Sequence, residues 1–181
     1  MALTSYAIAL GSNRRGRHGS PARTVRAAAA AIGAKRSSRV RLTPALGPAG
    51  RGFANAVVLI ESDLDPPALL ARLKQIERDF GRRGGRRWGP RVLDLDIVLW
   101  SRGAWGGDGL VVPHPEFRRR RFVLEPLAEV APEWRDPITG ATIRQLLFRL
   151  GRGRPVAPRR RPGASPGLAP LGPGLRRGTA G

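Results

Sequence analysis

Apolar residues recur along the chain with two different periods, and the switches between them set out the elements. Ser5 to Leu10 reads as a short buried strand that stops at Gly11-Ser12-Asn13. Pro21 to Ile32 is alanine-rich and helical, with Pro21 suited to the first turn and Gly33 to the stop. Arg39 to Leu42 alternates as a strand up to Thr43-Pro44, and Gly47 to Gly52 forms a turn-rich link to a second apolar strand, Phe53 to Glu61. Leu69, Leu70, Leu73, Ile76 and Phe80 fall at helical spacing within Pro66 to Phe80. Gly81 to Gly89 is a loop, and Val92 to Trp100 returns to strand periodicity. Shorter helices are expected over Pro126 to Ala131 and Thr142 to Leu150. The order β-α-β-β-α-β is that of an α+β ferredoxin-like sandwich, here with extra short C-terminal helices.

Composition divides the chain in two. Residues 151–181 hold eight glycines, six prolines and seven arginines, with no acid and no aromatic. Such a segment cannot bury enough surface to offset its ordering entropy, so 151–181 is expected to be a disordered basic tail. Residues 1–150 form one domain, long enough to bury roughly 70% of its unfolded surface. The absence of cysteine excludes a disulfide framework, a thiolate zinc site and a cysteine nucleophile. The first residues lack a basic leader, and nothing approaches the roughly 20 apolar residues of a membrane span. A cytoplasmic protein is the expectation.

Net charge is +20, of which the body keeps +13 (26 basic against 13 acidic residues). An excess of this size points towards polyanions. It can equally reflect compositional bias, since only Lys35 and Lys74 are not arginine. Position is the better guide: arginines crowd at 82–91 and 118–121, on either side of the strand 92–100.

That strand carries the candidate chemistry. Asp94 and Asp96 are two apart in an apolar run, so they share one strand face at roughly 7 Å, while Leu93, Leu95 and Ile97 point the other way. At an effective dielectric of about 20, two such charges repel by about 2 kcal/mol, which invites a cation. A carboxylate pair with room left for water and phosphate oxygens suits Mg²⁺. Taken alone, an Asp-x-Asp pair is also compatible with a plain polar edge.

The surrounding motifs reduce that ambiguity. They are Ala9-Leu10-Gly11-Ser12-Asn13, Thr43-Pro44-Ala45-Leu46-Gly47, Phe53-Ala54-Asn55-Ala56-Val57, Arg87-Trp88-Gly89-Pro90-Arg91 ahead of Leu93-Asp94-Leu95-Asp96, and Pro113-His114-Pro115 followed by Arg120 to Leu124. In this order and spacing the chain resembles the 6-hydroxymethyl-7,8-dihydropterin pyrophosphokinases of folate biosynthesis, from about Tyr6 to about Leu150.

The resemblance implies a transferase that moves pyrophosphate from ATP to the hydroxymethyl group of the pterin and releases AMP. It implies Asp94 and Asp96 as ligands of two Mg²⁺ ions, and Arg82, Arg91, His114 and Arg120 on the phosphates. Arginine suits that task because its planar fork binds phosphate bidentately and stays charged. Glu77, Arg87, Trp88 and Ile97 match ATP-binding positions, and Arg83, Arg86 and Arg87 compete for the role of mobile clamp in a loop expected to close over ATP. The pterin pocket falls on Phe53, Phe122 and Asn55, lined by Thr43, Ala45 and Leu46. Singly, Phe53 and Phe122 read equally well as core residues, and His114 as a capping histidine. Arg118, Arg119 and Arg121 read as a solvated basic face, and His18 carries no role. Two small-molecule substrates, a monomer and no membrane follow from the same resemblance.

One departure concerns the first loop, where Arg14-Arg15-Gly16-Arg17 stands in place of the apolar residue usual in the family. The rival reading is a nucleic-acid-binding protein, since Arg82-Arg83-Gly84-Gly85-Arg86-Arg87 and the tail resemble arginine–glycine segments that bind RNA electrostatically. It leaves Asp94, Asp96, Asn55 and Pro113-His114 unexplained. Weak RNA binding by the tail is compatible with the enzyme reading.

Overall fold

The computed structural model describes residues 3–44, 52–81, 91–107 and 109–152. Strand β1 (Thr4–Ser12) is followed by α1 (Pro21–Ala31), the short strands β2 (Arg36–Ser37) and β3 (Arg41–Thr43), and β4 (Phe53–Ser62). Then come α2 (Pro66–Asp79), β5 (Asp94–Trp100), a small hairpin of β6 (Trp105–Gly107) and β7 (Leu110–Val112), and the helices α3 (Arg121–Val130) and α4 (Ile143–Arg152). The main sheet has five strands in the order β2-β4-β1-β5, with β3 also on β4, and its pairings are antiparallel. This is the expected split β-α-β arrangement.

Local chemistry starts the helices where the sequence predicts. Ser20 Oγ accepts the Arg23 N–H ahead of Pro21, and Asp65 Oδ1 accepts the Ala68 N–H at 2.9 Å ahead of Pro66. Gly33, at φ 75°, takes the left-handed conformation just past the end of α1.

Strand alternation gives the sheet two buried faces. Tyr6, Ile8, Leu10, Ala54, Val58, Ile60, Leu95 and Ile97 pack with Val25 of α1 and Leu69 and Leu73 of α2. Ala7, Val57 and Leu99 pack with Leu124 and Leu127 of α3 and Ile143 of α4.

Five local expectations are corrected. The strand expected at 39–42 forms only at Arg41–Thr43, with β2 ahead of it at Arg36–Ser37; between the two, the Ser38 hydroxyl accepts the Val57 N–H at 3.0 Å and interrupts the main-chain ladder. Helix α3 begins at Arg121, not Pro126; Pro126 lies inside it, buried, and Phe122 C=O loses its intrahelical donor. Arg118 is not solvated: it forms a fork on buried Asp136 at 2.7 and 2.6 Å and lies over the Phe117 ring. His18 stacks on Phe80 at 4.3 Å, packing the first loop against the end of α2. Helix α4 continues through Arg152, two residues past the expected domain boundary, and the rest of the tail lies outside the described residues.

Candidate active site

On the face that packs against α3 and α4, β4 and β5 change from apolar to polar along their length, while β1 between them tapers to glycine. Strand β1 runs Ala7, Ala9, Gly11; β4 runs Leu59, Val57, Asn55, Phe53; β5 ends in Asp96 and Asp94. Register then lines these up. Arg41, Asn55, Gly11 and Asp94 form one continuous row across four strands. Val57, Ala9 and Asp96 form the next, and Thr43 faces Phe53 at the outer end. The small residues Gly11 and Ala9 make a floor between a β3–β4 wall and the two carboxylates. Two strand spacings separate Asn55 from Asp94, about 10 Å.

On the β4 side, the Asn55 Nδ2 donates to Thr43 Oγ1 at 3.0 Å, and a Cβ added at Gly11 would lie 3.5 Å from Asn55 Oδ1. The amide oxygen therefore faces the space above the floor. Phe53 and Phe122 are 37% and 40% exposed, so neither is a core residue. Phe122 stands in the first turn of α3, with the Arg120 guanidinium 5.9 Å from its ring centre.

On the β5 side, Arg91 Nη1 donates to both oxygens of Asp94 at 2.8 Å. Asn13 fixes the main chain there: its Oδ1 accepts the Arg91 N–H at 2.7 Å and its N–H donates to Arg91 C=O at 3.1 Å. The Asp96 pKa is raised, first by burial and then by Asp94, with His114, Lys74 and Arg120 pulling it back. His114 is lowered, first by burial and further by Arg120, against the attraction of Asp96. Its N–H donates to Val98 C=O at 3.0 Å, hanging it on the edge of β5, and its Nδ1 accepts the Glu116 N–H at 3.2 Å. The neutral ring thus carries its proton on Nε2. Asp94, Asp96, His114 and Arg120 are brought together by these elements.

Glu77 and Ile97 lie on the opposite, α1–α2 side. Glu77 is fully buried; its carboxylate accepts the Leu95 N–H at 2.8 Å and the Lys74 ammonium at 2.7 Å. It anchors the strand between the two aspartates. The Ile97 side chain is in the core. Arg82, Ala45, Leu46, Arg87 and Trp88, together with the rest of the loop expected to close over ATP beyond Gly81, lie outside the described residues.

Gly11 and Asn13 sit inside a quoted motif but were not expected as site residues. Lys74 gave no signal beyond its rarity in a chain rich in arginine.

A family model described as 7,8-dihydro-6-hydroxymethylpterin-pyrophosphokinase (HPPK) matches residues 7–132. The chain belongs to the HPPK family. That family transfers pyrophosphate to hydroxymethyldihydropterin in folate biosynthesis, with ATP as co-substrate. A 2-amino-4-hydroxy-6-hydroxymethyldihydropteridine pyrophosphokinase of Synechocystis is 41% identical over 131 residues, covering 71% of this chain and 67% of the relative. The Haemophilus influenzae protein of the same name is 38% identical over 138 residues, 72% of this chain and 83% of that one. The Plasmodium falciparum HPPK-DHPS structure with pteroate superposes with a TM-score of 0.60 at 12% identity, over 82% of this chain. Only 41% of that longer chain is covered, and at this identity the likeness concerns the fold of the shared part.

Proposed function

We propose that the chain binds Mg-ATP and 6-hydroxymethyl-7,8-dihydropterin on the polar end of this face and transfers pyrophosphate from the first to the second, releasing AMP. The row Asn55–Gly11–Asp94, with Asp96 one rung away, carries the reading. It sets an amide reader and a carboxylate pair on opposite sides of a side-chain-free floor.

The acceptor ring lies over Gly11, its polar edge against the Asn55 amide, whose orientation Thr43 holds. Phe53 and Phe122 supply ring faces for a flat bicycle, each stacking contact contributing about 1 kcal/mol. The hydroxymethyl arm then points towards β5, and its oxygen attacks the β-phosphorus in line with departing AMP. An O–P bond to the pterin forms, the bond from Pβ to the AMP oxygen breaks, and the hydroxyl proton is released.

Asp94 and Asp96 offer hard, anionic oxygens on one face, a donor set that fits Mg²⁺. Like charge and burial already disfavour the ionised form of Asp96, and a cation would relieve both. Two Mg²⁺ ions held there would neutralise the triphosphate and lower the pKa of the attacking hydroxyl. Arg91, His114 and Arg120 surround the same carboxylates and meet charge on the transferring group, Arg82 joining them from the loop. Catalysis is positioning and electrostatics. Nucleotide contacts are assigned to Arg87 and Trp88, while Glu77 and Ile97, buried on the other side of the sheet, act through the position of β5. Ala45 and Leu46 are assigned to the pterin by the family resemblance.

The reading takes the chain as a monomer acting on two small molecules. The catalytic unit is the domain of residues 1–150, with the tail after it dispensable for the reaction. No helix among the described residues is long and apolar enough to cross a membrane.

AMP formation from Mg-ATP, with and without 6-hydroxymethyl-7,8-dihydropterin, tests the reading on the full chain and on one ending at Arg152. Pterin-dependent AMP from both is expected. A folded full chain that makes none would overturn it and favour the RNA-binding alternative.

A further inference from the structure

Arg41 occupies the row of Asn55 and Gly11, yet nothing in the reaction uses it. Its side chain reaches α3. Nη1 donates to Glu125 Oε2 at 3.1 Å, and Nε and Nη2 both donate to Glu129 Oε1, Nε at 3.0 Å. The other Glu129 oxygen accepts the Arg39 main-chain N–H at 2.9 Å, and Arg121 Nε stands 3.5 Å from Glu125 Oε1. Burial alone would raise the Glu129 pKa, but the Arg39 N–H and the Arg41 guanidinium outweigh it and hold it below its usual value.

The two elements so joined are the two walls of the acceptor pocket. Strand β3 carries Thr43, which orients Asn55, while α3 opens with Phe122. Strand β3 is three residues long and hydrogen-bonds to β4 alone. Its attachment to the sheet is therefore slight, and the guanidinium is a second tether. As a source of stability this network is weak, because the Arg41 side chain is 42% exposed and such pairs are screened. As a geometric device it is strong, because one planar fork engages two carboxylates on successive turns of α3.

We propose that Arg41 is a positioning residue for the acceptor, setting through Glu125 and Glu129 the gap between the Thr43–Asn55 wall and the Phe122 ring. The inference rests on the pterin reading of this pocket. It bears first on the acceptor, because Asp94, Asp96 and His114 lie across the sheet on β5 and its edge, and of the phosphate residues only Arg120, at the start of α3, shares the wall it sets.

The test titrates 6-hydroxymethylpterin into the full-length protein with a non-hydrolysable Mg-ATP analogue, alongside KM and kcat for both substrates. Arg41→Ala should weaken acceptor binding and raise acceptor KM by about tenfold, equivalent to about 1.4 kcal/mol. The KM for ATP and kcat at saturating acceptor should stay within about twofold, and the melting temperature close to wild type. Arg41→Lys keeps the charge but loses the fork, and should fall between the two. Glu129→Gln should resemble Arg41→Ala, and it decides the matter should Arg41→Ala fail to fold. Acceptor affinity within about twofold of wild type in the folded variants, or an equal loss for ATP, overturns the proposal while leaving the pyrophosphokinase reading intact. A wild-type protein that binds no pterin removes that reading itself, and the proposal with it.

Discussion

Replacing Asp96 by asparagine separates what this site does for chemistry from what it does to the fold. Asp94 and Asp96 project from one strand face about 7 Å apart, and both are half-buried. At an effective dielectric of about 20 their charges repel by about 2 kcal/mol. Arg91 partly neutralises Asp94, and His114, Lys74 and Arg120 attract Asp96, so the relief on removing one charge is smaller, about 0–2 kcal/mol. The sign follows from the raised pKa of Asp96: such a carboxyl costs the fold most above its folded pKa, less as pH falls through that value, and nothing below its unfolded pKa. At neutral pH without metal, Asp96→Asn should therefore be as stable as wild type or more so, while turnover is lost. Urea unfolding in EDTA, read at equal m-value, measures the first effect, and pterin-dependent AMP release measures the second. Mg-ATP should raise the unfolding midpoint of wild type and leave that of the variant nearly unchanged. A variant more than about 1 kcal/mol less stable than wild type in EDTA would refute the reasoning, because the carboxylate would then be serving the fold. Retained turnover would refute the metal assignment.

Gly11→Ala should leave the fold intact, since a Cβ there clears Asn55 Oδ1 at 3.5 Å, but the methyl group would occupy the floor. Acceptor KM should rise more than about tenfold, and an unchanged value would place the pterin elsewhere. Glu77→Ala leaves the Leu95 N–H and the Lys74 ammonium without their carboxylate, and should destabilise by about 3 kcal/mol in urea. A loss under about 1 kcal/mol would mean that Glu77 does not anchor β5. For Asp136, burial opposes ionisation, but Arg118, Thr139 and the Ile138 N–H outweigh it and depress the pKa. Its contribution is present above the ordinary carboxylate pKa of about 4 and is lost as pH falls through the folded value. Asp136→Asn should begin less stable at neutral pH and show a flatter acid limb in thermal melts from pH 7 to 2; parallel curves would exclude Asp136 as the source.

Much of this architecture was legible because burial writes itself into period. Strands β1, β4 and β5 are long enough to display alternation, and α1 and α2 begin at a serine or aspartate followed by proline. Asp94 and Asp96 were legible for the same reason, two residues being one strand repeat. What escaped depends on partners far away in sequence. Arg118 looked like one charge in a run because Asp136 lies 18 residues on. Gly11 became a floor only once β1 settled between Asn55 and Asp94. Strands β6 and β7, three residues each, β6 being mostly glycine, are too short to show a period. Pro126 obeyed a local rule for helix starts that its burial against the sheet overrode.

The row that joins Arg41, Asn55, Gly11 and Asp94 is built from hydrogen-bonded neighbours, so its width is a property of the sheet and not of any connection. In evolutionary terms the distance between acceptor and metal is inherited with the ladder. Lengthening the segment after Asn13, or filling it with arginine, leaves that row in place. It does not alter which two atoms meet. A sequence drifting towards extreme composition can therefore rewrite its connections without renegotiating the reaction.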